Sequence, residues 1–297
     1  MGEVSPLDDL KLPTRARGWA AGGRLVSLLG RRVFVREGGG DGKPPLLLLH
    51  GFPSSSFDWS GIAGQLGGRR WIALDFLGFG LSEKPAELND LFLQADLVEA
   101  ALAELSVPAV EVVAHDMGTT VANELMARAI EGRLGFSCEV VVLFNGSMVI
   151  ERASLTWEQR MLRSRAGFVL AAASNKLSLK RGLGGVFGEA HPMEAEELDC
   201  QWALLSRDGG SRKLHKAIAY IDQRFEFADR WHGAIANWPG RLELVWGMED
   251  PVATTAVLDA VRELRTAARV TELPGLGHYP QIEDPARTAA AVLAALD

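Results

Sequence analysis

Eight short runs of aliphatic and β-branched residues recur along the chain, and most are too apolar to leave either face of a strand in water. In order they are RLVSLL from residue 24, RRVFVRE from 31, PLLLLH from 45, RWIALD from 70, AVEVVAH from 109, CEVVVLF from 138, RLELVW from 241 and RVTEL from 269. Segments of helical period separate them, at 90–105, 117–131, 254–267 and 284–296. Such strands suit a mostly parallel sheet with helices on both faces, so the pattern predicts an α/β fold whose first two strands form a hairpin.

The alternation stops after VVVLFNGS and resumes at RLELVWG. Residues 148–238 between these points are rich in helix formers and contain no convincing strand. We interpret them as a helical lid inserted after the sixth strand. The remaining ranges, 1–147 and 239–297, then form the core of an eight-stranded sheet.

Charge and composition exclude several classes of partner. The net charge of −7 argues against a nucleic-acid surface, which needs clustered Lys and Arg. No apolar run reaches the roughly 18 residues that span a bilayer, and MGEVSPLDDLKLPTRARG has no signal-peptide core. We therefore expect a soluble cytoplasmic protein with no nucleic-acid or membrane partner, and the oligomeric state stays open.

Cysteine and histidine spacings indicate neither a disulfide framework nor a metal site. Cys138 and Cys200 are isolated, and the chain has no HExxH or paired-cysteine motif. The two cysteines are interpreted as small buried apolar residues. We expect no cofactor and no metal, so the chemistry must come from side chains.

The stretch AHDMG predicts a sharp turn from a strand into a helix, with Asp116 at the turn. Gly118 lets the helix close on the strand. The N-terminus of that helix stabilises a negative charge, so an ionised Asp116 is a reasonable nucleophile.

Two further residues follow in the chain order nucleophile, acid, histidine: Asp250 in WGMEDPV and His278 in LPGLGHYPQ. In HGFP, the backbone N–H of Phe52 is predicted to pair with that of Met117 as an oxyanion hole. The pattern predicts that substrate alkylates Asp116 and that His278, oriented by Asp250, activates water to hydrolyse the ester. Taken singly, these residues could instead be a helix cap, a turn residue and a loop histidine.

Several motifs resemble the α/β-hydrolase superfamily, in the branch that holds epoxide hydrolases and haloalkane dehalogenases. ALDFLGFGLSEKP, AHDMGTTVANEL, RGLGGVFG, AYIDQRFEFADRWHGAI and HYPQIEDP are similar more closely to the mesoderm-specific transcript hydrolases. The likeness runs from about Pro45 to Pro285. It implies an α/β-hydrolase fold and an ester formed on an aspartate.

The leaving group decides between the two reactions. Dehalogenases of this branch hold the halide with side-chain N–H donors, and neither Met117 nor Phe52 offers one. Epoxide hydrolases protonate the ring oxygen from lid tyrosines, and Tyr220 stands near the usual position of the second. These differences favour an epoxide over a halide.

No tyrosine lies between Asp116 and Tyr220, so the first lid donor has no counterpart unless His191 or His215 replaces it. Tyr220 could also be a packed helix residue, and Tyr279 could serve only to pack its loop. Trp157, Trp202, Trp231 and Trp238 could each supply one halide donor. The substrate pocket is predicted to include His50, Trp157, Trp202 and His191.

The leading hypothesis is hydrolysis of a small apolar epoxide to a vicinal diol, with water as the second reactant. A haloalkane dehalogenase with an atypical halide site is the alternative enzyme. From another class comes a non-catalytic binding protein on the same scaffold.

Overall fold

All eight apolar runs form strands of one sheet in the computed structural model of the protein, which describes residues 11–40 and 43–297. The expectation that the chain has no signal peptide rests on residues 1–18, and residues 1–10 of that segment lie outside the described residues. The strands are β1 (Gly23–Leu28), β2 (Arg31–Gly38), β3 (Leu46–Leu49), β4 (Trp71–Leu74), β5 (Ala109–His115), β6 (Ser137–Phe144), β7 (Arg241–Gly247) and β8 (Arg269–Leu273).

The order of strands across the sheet is β1-β2-β4-β3-β5-β6-β7-β8. β2 is antiparallel to β1 and to β4, and the neighbours from β4 to β8 pair in parallel. Because β3, β5, β6, β7 and β8 are consecutive neighbours with one direction, the loops after them meet at one edge of the sheet. That edge receives every residue of the predicted triad.

Alternate residues of the central strands enter different cores, which explains why the strand sequences are apolar throughout. Leu47 and Leu49 of β3 join one hydrophobic cluster, while Leu46 and Leu48 join a second on the opposite face. All four are fully buried. The predicted eight-stranded α/β fold is confirmed.

Thirteen α-helices lie in the described part of the chain. They are α1 (Thr14–Ala21), α2 (Leu91–Glu104), α3 (Met117–Ile130), α4 (Trp157–Arg163), α5 (Gly167–Ala172), α6 (Lys176–Gly184), α7 (Ala195–Ser206), α8 (Leu214–Ala217), α9 (Tyr220–Glu226), α10 (Ala228–Asn237), α11 (Thr255–Leu264), α12 (Pro280–Glu283) and α13 (Pro285–Leu296). Among them, none is both long and apolar enough to cross a bilayer.

Residues 148–238, here called the helical segment, contain α4 to α10 and no strand. The segment leaves the sheet after β6 and returns to it at β7, as its helix-rich sequence predicts. Its role as a lid domain stays a prediction.

Candidate active site

Asp116 occupies a strained turn between β5 and α3. Its backbone lies at φ 44° and ψ −110°, a conformation that non-glycine residues rarely adopt and that costs about 1–3 kcal/mol. The turn is tight because α3 packs directly on the end of β3: a Cβ on Gly118 would lie 2.6 Å from the carbonyl oxygen of Leu49. The packing of α3 against β3 maintains this backbone conformation and places the Asp116 carboxylate at the sheet edge, as in a nucleophile elbow.

The structure brings the three predicted catalytic side chains together, and all are buried. His278 Nδ1 donates to Asp250 Oδ2 at 2.7 Å. The amide of Asn145, after β6, also donates to Asp250 Oδ2 at 2.8 Å, and the backbone N–H groups of Val252 and Ala253 donate to Oδ1. Asp250 is therefore fixed as an acceptor, which leaves Nε2 of His278 for proton transfer.

His115, directly before the nucleophile, ties the elbow to the histidine loop. Its Nε2 lies 2.7 Å from the backbone oxygen of His278, and its Nδ1 lies 3.2 Å from the amide of Gln281. Burial lowers the pKa of His115 to about 4, so the ring is neutral and donates through Nε2 alone. Spacing along the chain gave no signal for His115 or Asn145, because both contacts are made only when neighbouring strands align.

The charges of Asp116 and His278 stabilise each other. Burial opposes both charges, but Arg224 and His278 outweigh it and hold the pKa of Asp116 below its usual value. Likewise burial opposes the imidazolium, yet Asp250 and Asp116 raise the pKa of His278 to about 9. At neutral pH the site therefore holds an ionised Asp116 and a protonated His278.

Of the two backbone donors predicted for an oxyanion hole, one contacts Asp116. The backbone N–H of Phe52 donates to Asp116 Oδ2 at 2.9 Å. The second predicted donor, the backbone N–H of Met117, starts α3 and stays a prediction. The Met117 side chain is fully buried, and its sulfur accepts from Asn89 Nδ2 at 3.1 Å. Met117 therefore contributes its side chain to the core.

Beside His278 lies a cavity of about 140 Å³ between the sheet edge and the helical segment. Its lining is mainly aliphatic and aromatic, with a few polar groups. The residues are Phe52, Pro53, Thr156, Glu158, Gln159, Leu162, Leu170, Ser174, Asn175, Ser178, Leu179, Gly182, Leu183, Val186, Trp202, Leu205, Leu214, Val252, His278 and Tyr279. Such a lining suits an apolar molecule.

Tyr220 lies at the start of α9, next to Phe52. Its ring centroid is 5.7 Å from that of Phe52, and the side chain is fully buried. The phenol oxygen has no hydrogen-bond partner among the described residues. Burial, and then the charge of Asp116, raise the pKa of Tyr220 above its ordinary value, so the hydroxyl keeps its proton. An unpaired buried hydroxyl is costly, and a bound ligand could satisfy it.

Arg224 contacts Asp116 and was not among the residues predicted from the sequence. Its Nη2 donates to the backbone oxygen of Asp116 at 2.8 Å and lies 3.6 Å from Asp116 Oδ1, while its Nε donates to Thr120. The guanidinium also packs 4.8 Å from the centre of the Tyr220 ring. The spacing of four residues between Tyr220 and Arg224 on one helix was the available signal, since it places both on one face.

Three predicted pocket residues lie outside the cavity lining. His50 is fully buried, and its Nε2 accepts from the backbone N–H of Phe76 at 2.9 Å. Trp157 is 63% exposed. His191 lies with Nδ1 3.1 Å from the carbonyl oxygen of Glu283. Trp202 lines the cavity, as predicted.

Neither histidine proposed to replace the first lid tyrosine, His191 or His215, lines the cavity. Trp231 and Trp238 also lie outside the cavity lining: the Trp231 indole donates to Glu124, and Trp238 is buried. Tyr279 does line it, and its hydroxyl donates to the backbone oxygen of Phe52 at 2.8 Å. Within residues 11–40 and 43–297, no cluster of His, Cys, Asp and Glu could hold a metal.

Comparison with known proteins gives matches over nearly the whole chain. A family model described as alpha/beta hydrolase fold matches residues 44–285. LipZ of Mycobacterium tuberculosis is 50% identical over 281 residues, which cover 94% of this chain and 97% of LipZ. The Homo sapiens mesoderm-specific transcript homolog protein is 34% identical over 288 residues, which cover 93% of this chain and 86% of that protein.

Two solved structures share the fold at lower identity. The haloalkane dehalogenase DbeA from Bradyrhizobium elkani is 23% identical, with a TM-score of 0.75 over 91% of this chain and 95% of that chain. The epoxide hydrolase CorEH is 19% identical, with a TM-score of 0.74 over 92% of this chain and 97% of that chain. At these identities the likeness shows the fold alone.

Proposed function

This chain belongs to the α/β-hydrolase family, and from that premise we propose that it hydrolyses epoxides through a covalent ester on Asp116. The observation that carries the proposal is that Arg224 contacts both a buried carboxylate, Asp116, and a buried tyrosine, Tyr220, whose hydroxyl has no hydrogen-bond partner among the described residues. Asp116 is held as an anion by Arg224 and His278, and Tyr220 is held as a neutral acid beside it. A nucleophile and a proton donor in these states are what epoxide opening needs.

In the first half-reaction, an oxygen of Asp116 attacks a ring carbon of the epoxide. The carbon–oxygen bond of the ring breaks, and the ring oxygen takes the proton of Tyr220. The products are a hydroxyalkyl ester and a tyrosinate. Arg224, which loses its anionic neighbour when Asp116 becomes an ester, then stabilises the tyrosinate that it already contacts.

The second half-reaction starts with proton transfer from the His278 imidazolium to that tyrosinate. Esterification removes the Asp116 charge that helps to raise the pKa of His278, so the ring becomes a base at the step that needs one. Neutral His278 takes a proton from water, whose oxygen attacks the ester carbonyl, and the N–H of Phe52 stabilises the oxyanion. Collapse of the intermediate breaks the bond between the ester carbonyl carbon and the alkyl oxygen, and the departing alkoxide takes the proton left on the attacking oxygen. The diol is released with Asp116 ionised and His278 protonated, as at the start.

Halide chemistry is the competing function, and Trp202 is the observation in its favour. Its indole N–H is a halide donor of the required type, and the side chain lines the cavity. The position after the nucleophile, where a second donor is expected, holds the core residue Met117. We therefore place epoxide opening first.

Intact-mass analysis of a His278→Gln variant tests the proposal. The variant is incubated with terminal aliphatic epoxides and 1-bromoalkanes, and the adduct is mapped to a peptide. We expect the full mass of the epoxide on Asp116, and no adduct in a His278→Gln/Asp116→Asn control. An alkyl adduct with bromide release would support the dehalogenase instead. A folded variant that gains no mass from any compound contradicts the covalent mechanism.

A further inference from the structure

The outer side of α4, α5 and α6 is unusually apolar for a protein surface. Eight large hydrophobic side chains are exposed among the described residues, and four of them lie on these three short helices. They are Trp157, Phe168, Val169 and Leu177, each more than half exposed. Such concentration indicates a contact surface, since isolated exposed hydrophobic residues are ordinary but clusters are not.

The same helices reverse the charge of the molecule. Residues 157–181 contain one acidic residue, Glu158, and six basic ones, in a chain with a net charge of −7. Arg163 pairs with Asp222 and Lys176 with Asp199. The other four basic residues have no carboxylate within ion-pair distance in the described ranges, and all are exposed: Arg160, Arg165, Lys180 and Arg181.

This surface adjoins the mouth of the active-site cavity. Residues of all three helices line that cavity, including Leu162 of α4, Leu170 of α5 and Leu179 of α6. Glu158 and Ser178 line it and are themselves exposed, so the cavity opens to the outside beside them. Their sequence neighbours are Trp157 and Leu177. The helices that carry the exposed apolar and basic side chains therefore also form a wall of the cavity.

We propose that this surface docks on bilayers that contain anionic lipids and that apolar substrate enters the cavity from the bilayer. Tryptophan, phenylalanine and leucine side chains enter the boundary between head groups and acyl chains, and Lys and Arg bind the lipid phosphates. Charge complementarity selects the anionic bilayer as the occupant. The docking is independent of the reaction; only the route of the substrate rests on the proposed function.

The sequence-based expectation of no membrane partner considered only segments that cross a bilayer. A peripheral surface needs no such segment, because it is assembled from short helices whose exposed residues become neighbours on folding. The proposal therefore replaces that expectation for contact at the membrane surface.

Sedimentation with sucrose-loaded vesicles tests the docking without any enzyme assay. We expect the full chain to bind vesicles of phosphatidylcholine with phosphatidylglycerol, to bind pure phosphatidylcholine poorly, and to be released by salt. Arg160→Gln and Lys180→Gln should each weaken partitioning about fivefold, the effect of one cation at an anionic surface. Arg262→Gln, an exposed arginine on α11, is the charge-matched control and should change nothing.

A Phe168→Ser/Leu177→Ser variant should lose vesicle binding by more than tenfold while a Leu88→Ser control binds normally. All three positions are exposed, so unchanged melting temperatures are expected and separate docking from folding. Absence of binding to anionic vesicles overturns the proposal, as does equal loss in the Leu88 control. Self-association that disappears in the double variant, without vesicle binding, would assign the surface to a second copy and also overturn it. None of these outcomes depends on ester formation at Asp116.

Discussion

Asp116 is ionised because charges surround it, although the residue is buried. Arg224 lowers the pKa of Asp116 more than any other charge does. Its removal should therefore raise that pKa, so that Asp116 becomes protonated at a higher pH. In Arg224→Gln we expect the acid limb of kcat/KM to move upward by about one pH unit or more. Activity near pH 4 should fall severalfold relative to activity at pH 8, because the shifted limb then lies at or above that pH.

The control is Arg262→Gln. This exposed arginine pairs with Asp259 on the same helix, α11, so its loss should leave the pH profile in place. An unshifted acid limb in Arg224→Gln would mean that the guanidinium does not tune Asp116. The profile is measured with whichever epoxide forms the adduct on His278→Gln.

Tyr220 provides a residue-scale prediction in which activity and stability move in opposite directions. Its hydroxyl has no partner, so Tyr220→Phe removes an unsatisfied buried group and should be neutral or stabilising by about 1 kcal/mol. Epoxide opening should nevertheless slow about 100-fold or more, because the general acid is lost. Urea denaturation and product assays on one preparation measure both effects.

The chain contains one other tyrosine, which serves as the control. Tyr279 donates to the backbone oxygen of Phe52, so Tyr279→Phe should lose about 1 kcal/mol of unfolding free energy. Full retention of the rate in Tyr220→Phe would remove the general acid from the mechanism. A general destabilisation in both variants would contradict the assignment of the unpartnered hydroxyl.

Sequence alone could identify the residues that stand at fixed places in motifs. Asp116, Asp250, His278 and Phe52 each follow an apolar strand run, and parallel strands bring such positions to one edge. The contact of Arg224 with Asp116 was not predicted, because it depends on how α9 packs over the turn at Asp116, and a local sequence pattern does not encode that packing. His50 and Trp157 were misplaced for the same reason: a motif gives a position along the chain but not the direction of a side chain.

At the scale of elements, α10 is fastened to α3 by one buried carboxylate. Glu124 is fully buried and accepts from Arg230 at 2.7 Å, from Trp231 at 3.1 Å and from Arg128 at 2.9 Å. Glu124→Gln removes the anion shared by Arg128 and Arg230, but Arg128 keeps Asp96 and Glu99 and Arg230 keeps Glu131, so we expect a loss of about 1–3 kcal/mol in unfolding free energy. Chemical denaturation measures it.

Glu226→Gln, an exposed acid of α9, is the control for loss of a negative charge and should cost little. Limited proteolysis gives a second readout: if α10 is released first, cleavage sites in the helical segment should become accessible before the sheet unfolds. An unchanged unfolding free energy in Glu124→Gln would show that apolar packing alone holds α10 in place.

Strands were easier to predict than helices for a physical reason. A strand buried on both faces must be apolar at nearly every position, and the runs that form β3 and β4 meet that condition. The runs that form β1, β2 and β8 are partly exposed and were recognised by their β-branched and aliphatic residues. Helices α1 and α12 were not anticipated, and the helices between 148 and 238 were predicted only as a group. These helices are short, so each has too few turns to show a helical period of hydrophobic residues in the sequence. Their ends are set by tertiary contacts.

At the scale of the whole molecule, Asp58 joins the sheet to the helical segment. It lies in the loop after β3, fully buried, where it accepts from Ser54 and, at 2.9 Å, from Gln201 of α7. The same amide of Gln201 donates to Glu197, which pairs with Arg15 of α1. One buried polar network thus connects three separate parts of the chain.

Burial raises the pKa of Asp58 to about 8, against an ordinary value of 3.8. A raised folded-state pKa means that stability is fully present below the unfolded pKa and falls as pH rises toward 8, because folding then keeps a proton that the unfolded chain releases. Asp58→Asn keeps the size of the side chain and removes its titration. We expect the variant to gain about 1–3 kcal/mol of unfolding free energy at pH 8 and much less at pH 5, by urea denaturation at both pH values. Asp259→Asn, an exposed acid on α11, should show no such pH-dependent gain. A gain in Asp58→Asn that is equal at both pH values would mean that the folded carboxyl is already ionised at pH 5, as it is in the unfolded chain, and would contradict the raised pKa.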